Sequence, residues 1–208
     1  MVTFGVLAFQ GSVIEHIEML NRIDDVQAIE VKTPEALELI SGLILPGGES
    51  TTISKLMNIF GLMDPIRQKI KEGMPVWGTC AGMILLAKEI IGEEGMHLGV
   101  MDISVRRNAY GSQLDSFTTF IVVQEVCSSE IPLVFIRAPW VERTSEKVKI
   151  LAQVDDQIVA VEQGNMIATS FHPEIADNVC FHEYFVRKVE NSSIHKQQRE
   201  NFKAAPEL

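Results

Sequence analysis

The stretch "VWGTCAG" (76–82) sets Cys80 between two glycines, with the apolar run Pro75–Trp77 before it and the helical apolar pattern Met83–Ala87 after it. A glycine-x-nucleophile-x-glycine turn between a strand and a helix exposes its central side chain at the top of a sheet. There it faces the positive end of the helix dipole, which favours an anion, and the backbone N–H of Ala81 points to where an oxyanion would form. The same pattern also fits a buried structural cysteine between helix-packing glycines. The stretch "SFHPEI" (170–175) tips the balance, because a thiol nucleophile needs an imidazole beside it and the imidazole needs a third group to orient it. Pro173 biases His172 toward an extended conformation. Alternate residues of an extended segment share a side, so Glu174 is placed to accept the N–H of the His172 ring.

A third stretch, "LILPGGEST" (43–51), ends a strand in two glycines. Such a loop permits close approach of a ligand, and Gly48 can supply a second oxyanion N–H. A plain turn remains an alternative; a phosphate-binding loop is weak, because no Gly-Lys-Ser/Thr follows. The peptide between Gly47 and Gly48 can rotate at little steric cost, which makes it a candidate switch. The other histidines attract less chemistry. His16, beside Glu15 on the first helix, is expected on a solvated face, and His97, His182 and His195 have no partner at useful spacing. Cys127 and Cys180 lack glycine corners and read as ordinary buried or partly buried thiols.

These residues must be held by alternating strands and helices. Residues 3–9, 26–31, 42–45 and 75–77 are strand-like. Helical patterns carry Val13, Ile17 and Leu20, then a short turn from Pro34, then Ile53, Leu56, Met57 and Phe60 capped by Ser50, Thr51 or Thr52, then a helix from Cys80 to about Ile91. From residue 99, β-like runs at 100–106, 117–123, 133–137, 148–153, 157–162 and 166–171 suggest antiparallel or mixed additions to the sheet. A final helix covers roughly 177–190, and the polar tail beyond either extends it or frays. The expectation is an α/β fold: one three-layer domain with a mixed, mostly parallel sheet and helices on both faces.

Composition bounds the function. A formal charge of −10 repels phosphate backbones, so no nucleic-acid partner is expected. No apolar run approaches the roughly 20 residues that span a bilayer, so no membrane partner is expected. The first residues lack the basic region and cleavage site of a signal peptide. Three scattered cysteines without a CxxC pair suit a reducing cytoplasm and suggest no metal site.

The set "PGGES", "GTCAG" and "FHPE", in that order, resembles class I glutamine amidotransferases with a Cys-His-Glu triad and a flavodoxin-like fold. The stretches "GVLAFQGSVIEHI" (5–17), "LILPGGESTTISKL" (43–56), "WGTCAGMILLAKEI" (77–90), "RNAYGSQLDSF" (107–117) and "FIRAP" (135–139) narrow the resemblance to the glutaminase subunits of pyridoxal 5'-phosphate synthases. It covers the chain to about residue 190, which divides it into a glutaminase domain (1–190) and a polar C-terminal tail (191–208). The resemblance implies hydrolysis of L-glutamine to glutamate and ammonia, with the ammonia passed to a synthase subunit that activates the glutaminase on docking. Pyridoxal 5'-phosphate would be the product of that complex, and no cofactor of this chain is implied. Cys80 would be the nucleophile, His172 the general base and Glu174 its orienting group. Gly48 and Ala81 would form the oxyanion hole. Glu49, Ser50, Arg107, Ile136 and Arg137 would line the glutamine pocket, with Arg107 on the α-carboxylate, and Gln10 would lie near the site and the docking face. Phe9 and Trp77 depart from the family's usual residues. The alternatives are a glutaminase subunit serving another acceptor synthase and an inactive regulatory scaffold.

Overall fold

The computed structural model describes residues 1–95, 97–107 and 116–203, with side chains described as far as residue 193 outside the gaps. The first part runs β1 (Val2–Leu7), α1 (Val13–Leu20), β2 (Val26–Val31), α2 (Pro34–Leu37), β3 (Gly42–Leu45), α3 (Ser50–Ile59), α4 (Met63–Lys71), β4 (Val76–Thr79) and α5 (Ala81–Leu86). The Thr33 side chain accepts the Ala36 N–H and Pro34 fills the first turn, so α2 starts where the sequence places it. At α3 the cap position falls on Glu49, with Ser50 already helical, one residue before the expected caps. Sequence reasoning missed α4. Its buried stripe Met63, Ile66 and Ile70 has helical spacing, and Pro65 is tolerated in the first turn.

The expected helix to Ile91 ends instead at Leu86. Ala87 turns extended, and β5 (Ala87–Ile90) pairs in parallel with β6 (Met101–Arg106). Lys88 and Glu89 are exposed there while Ala87 and Ile90 are buried, a pattern suited to a charged edge strand. Then come β7 (Ser116–Val123), β8 (Cys127–Ile136), β9 (Trp140–Thr144), β10 (Lys149–Val154), β11 (Gln157–Gln163), β12 (Met166–Thr169) and α6 (Cys180–Lys203). The final helix continues well past residue 190. Residues 108–115, the centre of the "RNAYGSQLDSF" motif, and 204–208, the end of the tail, lie outside the described residues.

The main sheet has the order β2-β1-β3-β4-β12-β11-β9-β6-β5, with β10 on β11. Its β2-β1-β3-β4-β12 half is parallel, and β11, β10 and β9 add antiparallel pairings. β7 and β8 form a separate two-stranded sheet rather than joining the main one. Side chains of β3 alternate between two cores. Leu43 and Leu45 face α3, α4 and α5 with Ile53, Met57 and Ile66. Ile44 faces α1 and α6 with Trp77, Phe181 and Phe185. The sheet thus lies between two helical layers, and the parallel strands deliver their carboxyl ends to one edge, where an open α/β sheet binds ligands. Among the described residues, no helix is long and apolar enough to cross a membrane.

Trp77 anchors the second core. It is fully buried, with Phe185 at 5.8 Å and His182 at 5.0 Å between ring centroids. Its Nε1–H donates to Thr169 Oγ1 at 3.1 Å, which ties β4 to β12. Trp77→Ala is expected to lower folding stability by about 3–5 kcal/mol, the usual cost of truncating a buried large aromatic side chain. Urea unfolding checks it, with the loss appearing as a lower midpoint at unchanged slope.

Candidate active site

Cys80 follows the last residue of β4 and caps α5 at φ 48°, ψ −102°. Positive φ in a residue with a Cβ costs about 1–3 kcal/mol and persists only where the surroundings enforce it. Here the Cys80 N–H donates to Thr169 O at 2.8 Å, which ties the corner to the end of β12. The flanking glycines remove the Cβ atoms that would open the turn. A Cβ on Gly82 would stand 2.0 Å from Leu45 O, and one on Gly78 would stand 2.4 Å from the Gly82 carbonyl. The first turn of α5 therefore lies directly on β3 and β4, and Cys80 sits above the sheet edge as the sequence motif requires.

His172 reaches the same edge beyond β12. Its N–H donates to Val134 O of β8 at 2.8 Å. Pro173–Ile175 forms a 3₁₀ turn, so Glu174 does not meet His172 by extended alternation as expected; the tight turn brings the two together instead. His172 Nδ1 lies 2.7 Å from Glu174 Oε1, and both residues are buried. With Nδ1–H on the carboxylate, Nε2 is left for Cys80. Burial works against a charged His172 ring, yet hydrogen bonds to Cys80 and Glu174 and their charges outweigh it and raise the group to about 10. Burial likewise opposes the Glu174 carboxylate, but the histidines around it hold it down at about 2. The charged ring thus adds stability below its ordinary 6.5, lost as pH rises through about 10. The carboxylate adds stability above its ordinary 4.5, lost as pH falls through about 2.

A cavity of about 410 Å³ opens in front of Cys80 and His172. Gly48, Glu49, Ser50, Ala81, Arg107, Ile136, Arg137 and Gln10 all line it, while Glu174 stands behind His172. Ala81 begins α5, where N–H groups lack helical acceptors. Gly47 O accepts the Ser12 N–H at 3.2 Å, and Gln10 Oε1 accepts the Glu49 N–H at 2.7 Å, so the loop after β1 holds the Gly47–Glu49 backbone. Gln10 is thereby a clamp on that loop as well as a lining residue. A Cβ on Gly47 would lie 2.4 Å from His172 Cε1, so Gly47→Ala would displace the ring itself and cannot isolate a peptide rotation. The Ser50 hydroxyl is buried without a partner among the described residues. Arg107 donates to Glu49 at 2.8 Å and to Glu93 at 3.1 Å, a fork already set for carboxylate oxygens. Arg137 takes φ 43° at the cavity wall beside Ile136.

Two residues escaped the sequence reading. His16 is fully buried rather than solvated, with Nδ1 3.0 Å from His182 Nε2 and Nε2 3.1 Å from Thr79 Oγ1. His182, expected to have no partner, is its fully buried neighbour. The signal was present: His16 falls three residues after Val13 and four before Leu20, on the buried stripe of α1. His97 does not line the cavity, and the His195 side chain lies outside the described residues. Cys127 and Cys180 are half-buried free thiols away from the cavity.

Residues 6–191 match the SNO glutamine amidotransferase family. The chain is 50% identical over 189 residues to a pyridoxal 5'-phosphate synthase subunit PdxT of Ruminiclostridium cellulolyticum, covering 91% of this chain and all of that one. It is 52% identical over 183 residues to the PdxT subunit of Clostridium acetobutylicum, covering 88% and 98%. A crystal structure of a glutamine amidotransferase superposes with a TM-score of 0.85 at 44% identity, covering 90% of this chain and 98% of that one. The structure of PurLQS from Thermotoga maritima, at 17% identity and a TM-score of 0.63 over 94% and 99% of the chains, shares the fold.

Cys80 shares the cavity wall with His172, and its proximity and charge help Glu174 to support the charged ring against burial. In Cys80→Ala that support is gone while burial still disfavours the imidazolium, so His172 should titrate well below about 10. The Cε1–H resonance of His172 followed by NMR against pH checks this; an unchanged midpoint would separate the two side chains.

Proposed function

The chain belongs to the SNO glutamine amidotransferase family, and on that premise we propose that it hydrolyses L-glutamine to L-glutamate and ammonia as the glutaminase subunit of a pyridoxal 5'-phosphate synthase. The observation that carries the chemistry is the joining of Cys80 on its strained corner with a His172–Glu174 pair at 2.7 Å, both opening on one cavity. Cys80 Sγ attacks the side-chain amide carbon of glutamine. The amide oxygen takes the negative charge and is held by the N–H groups of Gly48 and Ala81. Losing one such donor costs roughly 3–4 kcal/mol of transition-state stabilisation. His172 Nε2 gives its proton to the amide nitrogen, the C–N bond breaks, and ammonia departs from a γ-glutamyl thioester. A water then attacks the thioester with His172 taking its proton. Glutamate leaves, and the thiolate is restored.

The rest of the pocket suits the substrate's other end. Arg107 holds two exposed carboxylates, Glu49 and Glu93, which can yield to the α-carboxylate of glutamine. Glu49 is then free to face the α-ammonium, and the buried Ser50 hydroxyl gains a polar partner. The relatives are named as subunits of a pyridoxal 5'-phosphate synthase, which supports a synthase partner, and in this reading the ammonia passes to it. The loop that carries Gln10 and Ser12 clamps the Gly47–Glu49 backbone, so a partner docked beside α1 would act directly on the oxyanion donor at Gly48. A cytoplasmic setting is consistent with three free thiols.

Ammonia release from glutamine, measured with and without the synthase subunit, tests the reading. Cys80→Ala should abolish release, whereas Cys127→Ala and Cys180→Ala should keep it, and docking should raise it. Release at the parental rate by Cys80→Ala would overturn the mechanism.

A further inference from the structure

The reaction just described leaves one buried cluster unused. Behind Glu174 lie His16 and His182, on α1 and α6, both fully buried. Glu174 spends Oε1 on His172. Among the described residues its Oε2 is buried with no hydrogen-bond donor, and His16 Nε2 lies beside it at 3.4 Å. That nitrogen also lies 3.1 Å from Thr79 Oγ1, its hydrogen-bond partner, so its approach to Oε2 is a close electrostatic contact beside that bond.

We propose that His182 and His16 form a neutral relay that positions the catalytic carboxylate: His182 Nε2–H donates to His16 Nδ1, and His16 Nε2–H faces Glu174 Oε2. This assignment rests on the glutaminase reading for its purpose, though not for its geometry. The tautomers follow from elimination. A bare His16 Nε2 would set a lone pair against a buried carboxylate and leave Oε2 with no donor at all, the costliest kind of unsatisfied group. With the proton on Nε2, His16 Nδ1 is bare and must accept, and His182 Nε2, 3.0 Å away, is its donor. The remaining atom, His182 Nδ1, is then a bare acceptor, and it is buried without a partner among the described residues. An unpaired acceptor is tolerated better than an unpaired donor.

Neutrality matters to the function. Burial lowers His16 and holds His182 well down, which favours the neutral form of both rings. A charged His16 would compete with His172 for the same carboxylate. A neutral N–H supports Oε2 and leaves the negative charge of Glu174 for the imidazolium. His16 and His182 are thus positioning residues, acting through Glu174 on His172.

Two measurements test the relay. In the chain docked to its synthase subunit, His16→Leu should lower kcat for glutamine hydrolysis by about 10- to 100-fold, by analogy with the scale for groups that orient metal-ligating side chains. KM should stay close to the parental value. His16→Gln carries an amide N–H near the position of Nε2 and should restore most of the rate. An unchanged kcat in folded His16→Leu, or a His16→Gln no better than His16→Leu, would overturn the proposal. The second measurement needs no variant and no activity. Long-range ¹H–¹⁵N spectra of the parent chain should show Nε2–H tautomers for both His16 and His182, and an Nδ1–H tautomer at His16 would overturn the relay. Failure of the parent chain to hydrolyse glutamine would instead remove the glutaminase reading and leave the tautomers standing.

Discussion

The site depends on one strained backbone corner. Cys80 holds a positive φ that its Cβ disfavours, and the fold enforces it by tying the Cys80 N–H to Thr169 O at 2.8 Å. That bond joins the ends of β4 and β12, which are parallel neighbours in register from Val76–Met166 to Thr79–Thr169. The chain leaving β4 therefore carries Cys80 and the chain leaving β12 carries His172, at one sheet edge. Gly78 and Gly82 let α5 close on β3 and β4, and Trp77 ties β4 to β12 through Thr169.

Electrostatics follow from this placement. His172 and Glu174 are both largely withdrawn from water, where isolated charges are expensive and paired ones interact strongly. The 3₁₀ turn at Pro173 sets the two side chains 2.7 Å apart. Cys80 stands on the far side of the ring, so the imidazole lies between a sulfur and a carboxylate. The cavity wall adds polar groups poised for a zwitterion, with Arg107 between two carboxylates and an unpartnered Ser50 hydroxyl.

Much of this was legible in the sequence where one local signal sufficed. The glycines around Cys80 and the double glycine before Glu49 each mark a backbone conformation, and the parallel strands 26–31 and 42–45 stand at the expected residues, whereas Pro173 opens a 3₁₀ turn in place of the expected extended run. Competing signals misled. The apolar run after Cys80 reads as a long helix, yet Lys88 and Glu89 make 87–90 a charged edge strand. Pro65 obscured α4, although Met63, Ile66 and Ile70 keep helical spacing. The strand Trp140–Thr144 went unread because Glu142 and Arg143 break its apolar pattern; both are exposed in ion pairs. His16 shows a deeper limit: its position on α1 marks burial, but its partners Thr79, Glu174 and His182 are distant in sequence, and no spacing rule joins them.

The central claim is that Cys80, among three thiols, is the atom that attacks the glutamine side chain. A glutamine analogue with a diazoketone in place of the side-chain amide would report it most directly, with the chain docked to its synthase subunit and the adducts located by peptide mass spectrometry. The account predicts one adduct, on the peptide carrying Cys80, suppressed by excess L-glutamine. Comparable labelling of Cys127 or Cys180, or labelling of Cys80 that glutamine does not suppress, would contradict it.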